Sequence, residues 1–191
     1  MINFETIISI FLGISLAAAV GFRIFVPLLV MSIASFFGYL NLSSGFEWIS
    51  TLPALIIFGA ATLFEIAGYY IPFIDNFLDA IASPTAVIAG SIVMASSIVE
   101  LDPLVKWVLA IVAGGGAAGL VQSLTTITRG TSSLTTGGLG NHVVSTTEAG
   151  ASFGISILAI LFPIFIGILV ILFLTWTVKK VYNKLLKTSS K

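Results

Sequence analysis

Few residues in this sequence are able to do chemistry, and most of them stand alone among apolar neighbours. Arg23 lies between two apolar segments, and Glu65 lies five residues before Tyr70, where an apolar run ends. An ionisable side chain at membrane depth costs about 2.5–3.5 kcal/mol on insertion scales, so it turns to the bundle interior, to a partner or to water. Arg23 therefore reads either as a turn residue snorkelling to headgroups or as a functional cation. Glu65 reads as an interfacial carboxylate, as a partner for Arg23 or Arg129, or as a proton carrier. Asp75, Asp79 and Ser83 fall at i, i+4 and i+8, with Asn76 beside them. Hard cations take carboxylate and amide oxygens, so Asp75, Asn76 and Asp79 are a candidate cation site. The alternative is a solvated face of an interfacial helix. Whether any metal binds is left open.

The last group of polar residues sits in an unusual stretch. Residues 122–150 contain twelve Ser/Thr and five glycines, with Gln122, Arg129, Asn141, His142 and Glu148, yet no proline and no lysine. One reading is a connector outside the membrane. The other is a re-entrant or unwound segment lining a polar cavity, which is tolerated only where protein or water covers it. The lack of proline and lysine favours the cavity, with those five residues as its specific groups. Histidine is the side-chain type that changes charge near neutral pH, although a single one near a helix start also serves as a cap.

The elements that must position these groups are membrane helices. Of 191 residues, 58% are hydrophobic and only 8% charged, and the mean hydropathy is +1.15. Soluble domains carry about 25% charged residues to cover a wet surface. With no cysteine and a single histidine, thiolate sites, disulfides and multi-histidine cages are excluded. No nucleotide-binding loop, redox motif or haem ligand pair is present, and no cofactor is expected. Zero net charge argues against nucleic acid as a partner.

Residues 7–40 are apolar with one break at Gly21-Phe22-Arg23. One straight helix of that length would reach about 50 Å, against a hydrocarbon core of about 30 Å. The sequence thus predicts two short spans meeting at a turn, or one helix broken at membrane depth. The absence of basic residues before position 23 argues against a cleaved signal. Further spans are predicted over 51–70, 84–99, from Lys106 onward, and over 151–178 with a kink at Pro163. A separate short amphipathic helix is predicted over 71–83. The fold class is an all-α polytopic transmembrane bundle of about six spans with broken or re-entrant segments, occupying residues 1–178. A basic tail follows over 179–191, with five of the eight basic residues, and is expected to be cytoplasmic by the positive-inside rule. An even span count would put the N-terminus on the same side. The Ala/Gly runs before Arg23 and at 114–119 suggest a weak inverted repeat.

Three motifs carry a resemblance. They are Gly21-Phe22-Arg23 followed by Pro27, the run from Glu65 through Gly68-Tyr69-Tyr70-Ile71-Pro72, Asp75-Asn76, Asp79, Ala82 and Pro84, and Thr136-Gly137-Gly138-Leu139-Gly140-Asn141. With these the chain resembles, over nearly its whole length, a bacterial membrane family described as a domain of unknown function, number 4126. The resemblance implies a small multi-span inner-membrane protein and brings no activity, substrate or catalytic residue.

The residues themselves favour a channel or secondary transporter for a small polar or ionic solute, with a proton or sodium ion as coupling ion. The expected partners are the lipid bilayer and that solute, with homo-oligomerisation also compatible. An intramembrane enzyme acting on a lipid or isoprenoid phosphate is the weaker reading: Ser145, His142 and Glu148 lie on one stretch without triad logic. A non-catalytic membrane subunit is the third.

Overall fold

The computed structural model describes residues 3–99 and 101–189, with the side chains of 72, 73, 75, 76 and 185–189 outside the description. The proposed cation-site contributions of Asp75 and Asn76 therefore lie outside the described residues. Among those described, the chain is all-helical: α1 Phe4–Val20, α2 Phe25–Phe36, a 3-10 turn Glu47–Ser50, α3 Leu52–Gly68, α4 Pro72–Ser97, α5 Pro103–Leu109, α6 Gly116–Thr136, α7 Asn141–Leu161 and α8 Pro163–Ser189. A π turn, Ala110–Gly115, joins α5 to α6. Among the described residues, four helical runs are long and apolar enough to cross a membrane: Phe77–Ser97, Pro103–Thr136, Asn141–Leu161 and Pro163–Lys184. Large apolar side chains such as Leu134, Phe64 and Val143 are exposed on the outside of the bundle, where lipid is the solvent.

Local chemistry sets several starts. Asn3 caps α1 by accepting from the Thr6 amide at 2.7 Å, Thr51 caps α3, and Asp102 caps α5 through the Leu104 amide at 2.9 Å, just before Pro103. Other boundaries differ from the sequence expectation. The predicted amphipathic helix over 71–83 and the span after it form one helix, α4, which runs through Pro84. The proline removes the amide that would bond Ala80, but the turn is kept, and Thr85 returns a hydroxyl bond to Ile81 at 2.7 Å. Conversely, the long span predicted over 151–178 is two helices, with Phe162 between them at φ −136° and ψ 61°. Phe173 of α8 lines a cleft with Val143 and Glu148 near the start of α7, so α8 folds back along α7.

Residues 122–150 are neither a connector nor unwound. They are the end of α6, a turn at Gly137 and Gly138 with φ of 63° and 91°, and the start of α7. Many of their hydroxyls bond back to their own helix: Thr128 to the Leu124 carbonyl, Thr131 to Ile127, Thr136 to Ser132, each at 2.7–2.9 Å. Thr125, Thr128 and Thr147 also line a cleft. A hydroxyl satisfied one turn back lets a polar helix sit in lipid. The glycine run serves packing. A Cβ on Gly90 would lie 2.4 Å from that of Ala118, and one on Gly114 would lie 2.7 Å from the Gly90 carbonyl oxygen, so α4 and the π turn with α6 touch backbone to backbone.

The break after α1 is present, and it is a hairpin. Gly13 packs against Met94 near the end of α4, Gly21 against Ala118 and Val121 of α6, and α2 then returns beside Phe153, Ile157 and Leu161 of α7. Both helices of the hairpin thus start and finish at the end of the bundle where α7 gives way to α8. The lysine-bearing end of α8 lies at the opposite end. Phe4 at the start of α1 and Lys179–Lys184 of α8 therefore lie at different ends of the bundle, which an even span count would not give.

Candidate functional site

The site begins at the tip of the α1–α2 hairpin. A helix end leaves amides or carbonyls without partners, and at this depth no bulk water supplies them. The chain satisfies them from other helices. Glu65 of α3 accepts from the Ile24 amide at 2.7 Å and from the Phe25 amide at 3.0 Å, capping the start of α2. Ser152 of α7 donates to the Ala19 carbonyl at 2.9 Å, at the end of α1. The charges suit the helix dipoles: a carboxylate faces the positive start of α2, and Arg23 follows the negative end of α1. Gly21 has to be glycine, because a Cβ would meet the Ala118 carbonyl oxygen at 2.5 Å.

From this tip Arg23 reaches into a buried charged layer. Its Nη2 donates to the Ser145 hydroxyl at 2.6 Å and carbonyl at 3.0 Å, and lies 3.3 Å from Glu148 Oε2. Arg129 of α6 takes the same carboxylate: Nε lies 3.2 and 3.1 Å from its two oxygens, and Nη2 also bonds Oε2. Arg129 Nη1 donates to Asp79 Oδ1 at 2.6 Å. Both guanidinium carbons lie over the Tyr69 ring, each 3.9 Å from its centroid, an arrangement in which the ring quadrupole attracts the cations. Arg23 is 1% exposed, Arg129 2% and Glu148 5%. Glu148 is seven positions into α7, about 10 Å from its start at 1.5 Å per residue.

Of the sequence-predicted residues, Arg23, Glu65, Arg129 and Glu148 are brought together. Asp79 joins them as an ion-pair partner of Arg129. Gln122 is buried outside the layer, donating to the Thr126 hydroxyl at 3.3 Å. Asn141 lies at the α6–α7 turn, donating to Ser133 at 2.9 Å. The His142 ring lies tilted at 44° against that of Tyr70, with centroids 5.6 Å apart, and Tyr70 shares a 2.6 Å hydrogen bond with Thr146. The Ser145 hydroxyl bonds Arg23. Sequence reasoning missed Tyr69, Ser145 and Ser152 as members. The signal for the serines was available: with Glu148 they fall at i, i+3 and i+7, one face of α7. Among the described residues no three His, Cys, Asp or Glu side chains form a metal-sized group.

Two clefts reach the layer. One, of about 670 Å³, opens between α3 and α4; its walls include Phe64, Ile74, Phe77 and Ile81, and it reaches Glu65 and Tyr69. The other, of about 290 Å³, lies among α6, α7 and α8 with Phe22, and reaches Glu148 and Thr125. A family model described as a domain of unknown function (DUF4126) matches residues 10–182. No curated protein and no solved structure matches the chain.

Proposed function

Because the chain belongs to the DUF4126 family, a membership that brings no activity with it, we propose from the geometry alone that it is a small channel or secondary transporter. Its solute is small and polar or ionic, and a proton or sodium ion is the natural coupling ion. One observation carries this reading. Arg23 lies 3.3 Å from Glu148, which one cleft reaches, and 3.9 Å from the ring of Tyr69, which the other cleft reaches. Arg23 thus stands between the ends of two clefts, on a hairpin tip held by side chains of α3 and α7. A shared carboxylate between two arginines can be handed from one to the other, and such an exchange would open the layer to either cleft in turn.

The two Ala/Gly segments that suggest a repeat also meet, since Gly21 packs on Ala118. Broken helices meeting within the membrane are where transporters of repeat architecture hold their sites. On this reading the protein sits in the bacterial inner membrane with its lysine-rich tail cytoplasmic. The test is flux in proteoliposomes across a panel of small ions and polar solutes, comparing wild type with Arg23→Gln and Glu65→Gln. A solute whose flux falls at least ten-fold in Arg23→Gln supports the reading. If neither change alters any flux, the layer is not a transport path.

A further inference from the structure

The two arginines of the layer differ in how their donors are used. Every guanidinium nitrogen of Arg129 meets a carboxylate: Nε and Nη2 meet Glu148, and Nη1 meets Asp79. Arg23 bonds through Nη2 alone, while its Nε and Nη1 are buried without a hydrogen-bond partner among the described residues. Those two nitrogens carry three of the five N–H groups of a guanidinium. Burying charged donors without acceptors is among the costlier arrangements in a protein. The nearby carboxylates do not bond them, since Glu65 is directed to the α2 amides and Asp79 and Glu148 are drawn to Arg129. The face of the guanidinium is covered by Tyr69, which leaves its edges for acceptors.

We propose that Nε and Nη1 of Arg23 are the donors of a binding site for a small oxyanion, a carboxylate or a phosphate. This deepens the transport reading, and rests on it, by naming the solute class. Charge balance adds a condition. The layer holds two arginines against the carboxylates of Glu65, Asp79 and Glu148, so a bare anion meets an excess of negative charge. An anion that enters with a proton leaves the formal charge of the layer unchanged. Glu65 and Tyr69 from α3 and its end, Asp79 from α4, Arg129 from α6 and Glu148 from α7 face Arg23, with His142 further out beside Tyr70. The anion therefore binds more tightly as pH falls.

The experiment uses the full chain purified in detergent, with thermal unfolding followed by tryptophan fluorescence. Sodium acetate and, separately, sodium phosphate are titrated against sodium chloride at equal ionic strength. Acetate or phosphate should raise the midpoint saturably, with half-saturation at lower concentration at pH 6 than at pH 8. Arg23→Lys, which keeps the charge but lacks Nε and Nη1, should weaken that response at least ten-fold, while Lys179→Gln leaves it unchanged. No stabilisation beyond chloride by either anion, or an unaltered response in Arg23→Lys, overturns the proposal. Should Arg23→Lys fail to fold, wild type labelled with [15N]arginine decides. The chain has two arginines; acetate should shift one Nε–H resonance, and a spectrum with neither shifted rejects the site. Binding without flux removes the transport reading and keeps the site. Flux of other solutes without anion binding does the reverse.

Discussion

Glu65 and Ile24 are joined by a 2.7 Å hydrogen bond from the backbone amide of one to the carboxylate of the other. The bond ties α3 to the tip of the α1–α2 hairpin from one side, and Arg23, one residue earlier, ties the same tip to Ser145 and Glu148 of α7 from the other. The tip is thus latched by an anion at the amide end of α2 and by a cation just beyond the carbonyl end of α1. Both latches are side chains, and neither is covalent. A hairpin held in this way can move as a unit when one partner changes its charge.

The first prediction concerns that latch. Glu65→Ala leaves the buried Ile24 amide and the half-buried Phe25 amide without acceptors, and an orphaned buried donor costs about 1–3 kcal/mol. Glu65→Gln keeps one acceptor oxygen and turns an amide group toward the other N–H. The thermal midpoint in detergent should fall in the order wild type, Gln, Ala, with Ala the lowest by several degrees. A Glu65→Ala protein as stable as wild type would show that the tip does not depend on this cap.

Glu148 is the shared partner of both arginines, whereas Asp79 serves one of them and its side chain is 20% exposed. Breaking a buried ion pair by removing one partner costs about 3–5 kcal/mol, and exposure reduces this. Glu148→Gln should therefore destabilise the protein more than Asp79→Asn. Arg23→Gln and Arg129→Gln should also be non-additive, because both act through one carboxylate. Unfolding midpoints of the two single variants and the double variant measure this; strict additivity would contradict a shared site.

How much of this was legible depended on whether the signal lay in one segment or between segments. The break at Gly21-Phe22-Arg23 was readable because length against membrane thickness is a local argument, whereas the reversal of α2 was not, because it depends on contacts with α7. The pooling of Arg23, Glu65, Arg129 and Glu148 was partly readable, since isolated charges in apolar runs have to find one another. Tyr69 was not, because a tyrosine at the end of a span reads as an interfacial belt residue until two arginines are seen against it. Residues 122–150 misled as to conformation for a definable reason: hydroxyls satisfied by their own helix and hydroxyls of an unwound segment have the same composition, although Thr125, Thr128, Thr147 and Glu148 do line a cleft. The fusion of 71–83 with the span after it was hidden by Pro84, whose boundary signal is overridden when neighbouring helices hold the turn.

Glycine substitutions separate packing from propensity. Gly90→Leu and Gly114→Leu place side chains where even a Cβ would lie 2.4 Å from Ala118 Cβ and 2.6 Å from Met94 Cβ, respectively. Both should abolish a monodisperse peak in size-exclusion chromatography. Gly116→Ala and Gly154→Ala lie on helices with nothing within 4 Å of the new atom. They should leave the midpoint unchanged or slightly higher, since alanine is favoured over glycine within a helix by about 1 kcal/mol. A destabilised Gly154→Ala would mean that this face of α7 is covered.

The direction of the chain gives the last prediction. α7 leaves the Gly137–Gly138 turn, α8 returns to that end, and the hairpin enters and leaves by the other. The chain has no cysteine, so single cysteines report without background. Glu5→Cys and Tyr39→Cys replace exposed residues on either side of the hairpin, and Leu139→Cys and Asn183→Cys replace exposed residues at the opposite end. In inside-out and right-side-out vesicles, a membrane-impermeant maleimide should label positions 5 and 39 from one face and positions 139 and 183 from the other. By the positive-inside rule the face bearing 139 and 183 should be the cytoplasmic one. Labelling of 5 and 39 from opposite faces would make α1 and α2 two parts of one crossing, and Arg23 would then lie within a span rather than at the tip of a hairpin.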